Sequence, residues 1–180
     1  MSLSFGQRID SETDLIEPWF THGALDKLKE MDLSDKIIWM WGAGMGDSWL
    51  AKRCKELHIV ERTTLWMQSE QDLVKKNIVN LRYYYRPCNE GSGEQESYCR
   101  IPLLRPDVFI VDDAYRYECI LKVLEYKPCL LIVDNWQQDY VFICPAAEEA
   151  LKDYKGEYFI QADHKDHEGR PWQTAIWNIK

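Results

Sequence analysis

An open α/β sheet, mostly parallel and covered by helices on both faces, is the fold this sequence predicts. Three observations predict it. Strand-length apolar runs alternate with stretches of helical spacing along most of the chain. Several of those runs are apolar at every position rather than every second one, as strands buried on both faces of a parallel sheet require. The run Ile37-Ile-Trp-Met-Trp41 passes into a glycine turn, with Gly42, Gly44 and Gly46, and then into a helix opening at Asp47-Ser48. Glycine permits positive φ and lets a backbone approach a ligand closely. The turn therefore fits either a plain tight connection or the floor of a nucleotide site.

Residues 1–14 are polar and read as loosely held. Leu15, Trp19, Phe20, Leu25, Leu28 and Met31 then recur at roughly helical spacing, and Pro18 and Gly23 split them into short helices over about 15–32. Such helices pack on one edge of the domain or cover a ligand. After the glycine turn, Leu50, Cys54 and Leu57 follow the i, i+4, i+7 rule and predict a helix over 48–56 capped by Asp47 or Ser48. Leu57–Glu61 is a second strand ending in a carboxylate. Glu61 lies 19 positions after Gly42 (61 − 42), the spacing at which an acid accepts hydrogen bonds from ribose hydroxyls.

A second helix is predicted over 64–79, with Trp66, Leu73, Val74 and Ile78 inward, before a third strand, Asn80–Tyr85. Residues 86–102, rich in Pro, Gly and Ser, read as a mobile rim loop, either solvated or touching the base of a nucleotide. Asp107–Asp113 is a fourth strand ending in two carboxylates. Tyr117, Ile120, Leu121 and Leu124 mark a helix that Pro128 stops, and Cys129–Asn135 is a fifth strand. A short helix over Pro145–Tyr154 is followed by strands Glu157–Gln161 and Gln173–Ile179, joined by a polar turn. These two strands predict an antiparallel hairpin at the sheet edge, for seven strands in all.

A chain of 180 residues with 46% hydrophobic content predicts a single domain over 1–180. No run of about 18 apolar residues occurs, so no membrane span is expected. Six cysteines without a C-x-x-C pair read as reduced thiols of a cytoplasmic protein, not as a disulfide framework or zinc site. The net charge of −8 argues against broad nucleic-acid binding and leaves a small-molecule substrate as the expected partner. Nothing in the composition sets an oligomeric state. His164 and His167, with Asp163 and Asp166, read as a polar hairpin tip and His58 as a packed histidine. Arg82, Arg86 and Tyr83–Tyr85 either stack on a base or alternate along a strand.

Four segments together carry a resemblance. They are Trp41-Gly-Ala-Gly-Met-Gly46, Ile59-Val-Glu-Arg62 followed by Trp66, Asp107–Asp113, and Leu131-Ile-Val-Asp-Asn135. In this order and spacing, with the closing hairpin, the chain resembles the Rossmann-fold (class I) S-adenosylmethionine-dependent methyltransferases over about residues 20–180. The resemblance implies S-adenosylmethionine as cofactor, held by Trp41, Gly42, Ala43, Gly44, Gly46, Asp47, Glu61, Arg62, Asp112 and Asp113, with Glu61 on the ribose. It also implies Asp112 as the catalytic residue near the transferred methyl group. Asp112, Asp134 and Asn135 match the metal ligands of the catechol-type O-methyltransferases and imply Mg²⁺ or Ca²⁺.

Two departures stand out. Met40 occupies the position of an acid that helps to hold the cofactor's amine, and Tyr115 occupies that of the catalytic lysine. Against an NAD enzyme, the spacing is G-x-G-x-G with Asp47 sixth. A carboxylate there repels a pyrophosphate but tolerates an amine and a sulfonium. The expected activity is methyl transfer to an oxygen or nitrogen of a small molecule. The alternatives are a degenerate, non-catalytic binding member of the fold and an NAD- or nucleotide-binding domain.

Overall fold

The computed structural model describes residues 8–64, 77–88, 94–101, 105–136, 144–165 and 169–180. The helix expected over 64–79 and the residues Asp166 and His167 fall largely or wholly outside these. Seven strands form one sheet: β3 (Ile37–Trp41), β4 (Glu56–Glu61), β5 (Leu81–Tyr85), β6 (Val108–Val111), β7 (Cys129–Asp134), β8 (Gly156–Lys165) and β9 (Pro171–Ile179). Their order is β5-β4-β3-β6-β7-β9-β8. The first five are mutually parallel, and the hairpin β8–β9 joins antiparallel to β7. The mostly parallel sheet and its closing hairpin are those expected.

Alternation along the strands builds two cores. Trp39, Trp41, Phe109, Val111, Leu131, Val133, Ala175 and Trp177 face one side, while Ile38, Met40, Ile59, Ile110, Ile132 and Ile176 face the other. The first core packs against α4 (Arg116–Val123) and α5 (Cys144–Leu151), and the second against α1 (His22–Glu30) and α2 (Asp47–Arg53). Covering on both faces is why these strands carry no polar stripe. Trp39 and Trp41 are fully buried, and indoles of this size each remove about 150–250 Å² from water.

Several elements differ from the reading of the sequence. Residues 8–14 are held in place: β1 (Ile9–Asp10) pairs antiparallel with β2 (Leu15–Ile16). Buried Asp10 accepts a hydrogen bond from Trp49 Nε1 at 2.6 Å, and buried Glu17 pairs with Arg8 and Lys29. Polar residues with long-range partners look, in sequence, like solvated ones. The rim segment contains a helix, α3 (Gln95–Cys99), whose Tyr98 and Cys99 are buried. Five residues are too short a span to show periodicity. The cap of α2 is Gly46 rather than Asp47 or Ser48. His164 lies within the longer β8, not at a hairpin tip, and is buried. His58 is packed as expected, between the Tyr84 hydroxyl (2.9 Å) and Glu56 (3.2 Å).

Candidate active site

Parallel pairing brings the carboxyl ends of β4, β3 and β6 to one rim. The ladder continues one step past the strands: Gly42 N donates to Val60 O, Asp112 N to Trp41 O and Arg86 N to Glu61 O, each at 2.9 Å. Gly42 turns the chain at φ +97°, and a Cβ there would lie 2.6 Å from the Asp112 carbonyl oxygen. Only glycine fits. Above this rim lies a cavity of about 360 Å³, within the usual range of about 300–1,000 Å³ for small-ligand sites. Its walls are the turn from Gly42 to Asp47, the segment Glu61–Thr63, and Asp112 and Asp113, with Pro18, Trp19, Met40 and Leu50 completing them.

The three glycines have different neighbours. A Cβ on Gly44 would meet nothing within 4 Å, so this residue faces open cavity. On Gly46 it would lie 2.3 Å from Pro18 Cα. Gly46 is small because the N-terminal segment packs on it, an N-terminal contact that the G-x-G-x-G spacing alone does not disclose. Trp41 points away from the cavity: it is fully buried, and its Nε1 donates to Tyr98 O at 3.1 Å.

Glu61 and Asp47 clamp the turn. Glu61 Oε2 accepts from Ala43 N at 2.9 Å, while Oε1 accepts from Thr63 N at 2.7 Å and Thr63 Oγ1 at 2.8 Å. Asp47 Oδ1 accepts from Gly44 N at 3.0 Å, and Oδ2 accepts from the Tyr83 hydroxyl at 2.6 Å. Burial pushes the Asp47 carboxyl up to about 7, with the two hydrogen bonds opposing the rise. The Gly44 N–H, which would meet the pyrophosphate of a dinucleotide, is thus already engaged by an acid. That geometry weighs against the NAD alternative.

Because its folded form holds the proton more tightly than the unfolded chain, Asp47 contributes stability that is complete below about pH 4. That contribution is lost as pH rises towards about 7. Asp47→Asn keeps an acceptor for Gly44 N and cannot ionise. Between pH 5.5 and 8, the variant is expected to gain about 2 kcal/mol of stability relative to the wild type, read by urea denaturation at both values. A constant difference between the two proteins would refute a protonated Asp47.

The acids at the ends of β6 and β7 form a second group. Asp134 is buried, and its Oδ1 accepts from Thr174 Oγ1 at 2.5 Å and, weakly, from Trp172 Nε1 at 3.4 Å. Arg116 lies between the two strand ends. Its Nε donates to Asp134 O at 3.0 Å, its Nη2 donates to Asn135 Oδ1 at 2.8 Å, and Asp112 Oδ1 is 3.8 Å from that Nη2. Burial and the proximity of Asp134 raise Asp112 well above the usual carboxylate range, and Arg116 opposes this. Burial likewise raises Asp134.

The Mg²⁺ or Ca²⁺ expected at Asp112, Asp134 and Asn135 is not supported by this arrangement. A guanidinium already supplies the positive charge among them, and the Asn135 oxygen a metal would need accepts from it. Among the described residues no cluster of three His, Cys, Asp or Glu side chains has metal-binding geometry. Asp112 is a cleft acid with both carboxylate oxygens unused as hydrogen-bond acceptors among the described residues, Arg116 standing 3.8 Å away.

The far rim is closed by a chain of contacts. Arg62 Nε donates to Asp113 Oδ1 at 3.0 Å, and the Tyr98 hydroxyl donates to Asp113 Oδ2 at 2.7 Å. Arg86 holds α3 through the carbonyls of Ser97, Tyr98 and Arg100, and its guanidinium lies over the Trp39 and Tyr84 rings. This internal stacking accounts for Arg86. The sequence singled out neither Thr63 nor Arg116 as site residues, and it offered Tyr83 as a base-stacking or strand residue rather than as the partner of Asp47. Of these, only Arg116 leaves a local trace, lying one helical turn after Asp112.

No protein-family model matches the sequence, and no curated protein matches it. Solved structures match in fold. A candidate methyltransferase from Streptococcus mutans, in complex with S-adenosylhomocysteine, has a TM-score of 0.61 at 12% identity, covering 86% of this chain and 95% of that one. An rRNA methylase from Streptococcus thermophilus has a TM-score of 0.57 at 17% identity, covering 88% and 96%. The tRNA (m1A58) methyltransferase of Aquifex aeolicus has a TM-score of 0.61 at 13% identity, covering 87% and 67%.

The fold is therefore the class I, Rossmann-like methyltransferase fold. The expectation of a small-molecule substrate without broad nucleic-acid binding is corrected by the same comparison. Two of these neighbours are named for rRNA and tRNA methylation. Net charge sums over a whole surface and does not report the local field where a strand would lie. Among the described residues no helix is long and apolar enough to cross a membrane.

Proposed function

We propose that this chain is an S-adenosylmethionine-dependent methyltransferase acting on an oxygen or nitrogen nucleophile. The observation that carries the reading is the cavity itself. Its floor is a glycine turn whose Gly44 faces open space, and its side is a carboxylate, Glu61, one strand away. Glu61 retains one acceptor site on Oε2, and release of Thr63 would free Oε1 for a second ribose hydroxyl. Among the described lining residues the acids Asp47, Glu61, Asp112 and Asp113 stand against one cation, Arg62, a balance that suits a positively charged ligand.

Bound S-adenosylmethionine supplies a methyl group on a cationic sulfur. The chain's own contribution is to align the nucleophile and take its proton. Asp112 fits the second task, because it faces the cavity with free lone pairs and its affinity for protons is raised by burial and by the nearby Asp134. The five cysteines whose side chains are described are free and buried, in keeping with a cytoplasmic location.

Isothermal calorimetry with S-adenosylhomocysteine is expected to show binding with one ligand per chain. Absence of heat at millimolar ligand, with the protein folded, would remove the reading. Met40, buried in the cavity wall where an acid was expected, favours a second reading in which the fold binds without transferring methyl groups. Labelled methyl appearing in an extract of cellular acceptors would exclude that one.

A further inference from the structure

Trp19 is the side chain of this cavity that the cofactor reading leaves unexplained. It is 42% exposed although it is the largest apolar side chain on the wall. An indole left in water forgoes a large burial gain, so its position is worth accounting for. Trp19 is held firmly. One face stacks on Trp172, with centroids 5.3 Å apart and planes 26° from parallel. His164 meets both rings edge-on, at 5.9 and 4.7 Å. Below it, Pro18 lies against Gly46.

The cluster belongs to the acceptor half of the rim. Trp172 Nε1 points at the Asp134 carboxylate (3.3 and 3.4 Å), at the end of β7, whereas Glu61 and Arg62 lie on the opposite side of the glycine turn. Trp172 stacks on one face of the indole, and the half-exposed Trp19 lines the same cavity as Asp112.

We infer that Trp19 is a stacking platform for the methyl acceptor, and that the acceptor is a planar nitrogen heterocycle, neutral or cationic, of the kind a nucleobase presents. The inference rests on the proposed methyltransferase reading. A rigid indole offers a flat ring a stacking partner of any orientation and adds attraction when that ring is cationic. Asp112, Asp113 and Glu61 on the cavity wall set the sign: an anionic ring would be opposed by them, while a neutral or cationic one would not. The acceptor nitrogen would then lie between Trp19 and Asp112. Trp19 is a specificity residue in this scheme, and the pre-stacked Trp172 and His164 keep it from turning away.

The test is a set of calorimetric titrations run with and without S-adenosylhomocysteine. The probes are N-methylquinolinium, 1-naphthoate, adenosine and a ten-nucleotide single-stranded RNA, each against the wild type, Trp19→Phe and Trp19→Ala. The expected result is binding of N-methylquinolinium and of at least one adenine-containing probe to the wild type. Binding should be about tenfold weaker in Trp19→Ala and less affected in Trp19→Phe, with no binding of naphthoate. RNA binding well above adenosine would identify a base within a strand as the source of the ring, and equal binding a free ring.

The inference is overturned if Trp19→Ala, with an unchanged melting temperature, binds the ring probes as the wild type does. It is equally overturned if no flat ring binds, or if naphthoate binds as tightly as the quinolinium. Failure of S-adenosylhomocysteine to bind is read separately and counts against the methyltransferase reading alone.

Discussion

Arg116→Met is expected to lower the free energy of unfolding by about 3 kcal/mol at pH 8, with a smaller loss at pH 5.5. The guanidinium joins the ends of β6 and β7 through the Asp134 carbonyl and the Asn135 amide oxygen, and it is the only cation close to Asp112 and Asp134 among the described residues. Methionine fills much of the same volume but returns neither the charge nor the donors. Two carboxyls already raised by burial would then lose the one neighbour that lowers them. Their ionisation costs more in the variant, so the deficit grows as pH rises through the range in which they titrate. The partial exposure of Asp112 places the loss at the lower end of what breaking a buried pair costs. Urea denaturation at the two pH values measures it. An equal loss at both would mean that Arg116 acts only through its hydrogen bonds. A wild-type melting temperature raised several degrees by millimolar Mg²⁺ or Ca²⁺ would restore a metal to this place.

Gly44→Asp is expected to reduce affinity for S-adenosylhomocysteine at least about a hundredfold while leaving the melting temperature nearly unchanged. No atom lies within 4 Å of the new Cβ, so the folded protein accepts the side chain, which then occupies the ligand's volume. Gly46→Ala should behave in the opposite way. Its Cβ would fall 2.3 Å from Pro18 Cα, and the backbone would have to move, at a cost of about 1–3 kcal/mol. Calorimetry with a parallel thermal melt separates the two effects. Undiminished binding by Gly44→Asp would show that the cavity above the turn is not where the ligand lies.

Much of the fold was legible because its signals are local. Strand-length apolar runs at Ile37–Trp41, Val108–Val111 and Cys129–Asp134 can be buried on both faces only in a covered parallel sheet, and the glycine turn after the first of them marks the sharp exit. Glu61 was legible for the same reason, since the length of one helix and one strand sets its distance from Gly42. The rest was hidden where the partner is remote. Asp10 reads as part of a loosely held polar segment until Trp49 is brought beside it, and nothing near Glu17 in the sequence discloses Arg8 and Lys29 as its partners. Tyr98 sat in a segment whose composition reads as loop, yet it reaches Asp113. Asp134 and Asn135 have the residue types of a metal site, and only the return of α4 places Arg116 among them.

By itself the sequence determined the chain order and type of the seven strands of the main sheet, the parallel core with its closing hairpin, and the rim on which Gly42, Glu61 and Asp112 stand. Periodicity and turn chemistry act over a few residues and need no partner. Tertiary structure alone decided which of the three glycines faces a cavity, that Asp47 and Glu61 hold the turn, that a guanidinium occupies the place of the expected cation, and that Trp19 stands over the cleft. Each of those outcomes depends on a contact between residues brought together by the sheet, and burial and charge at such contacts are properties of the pair.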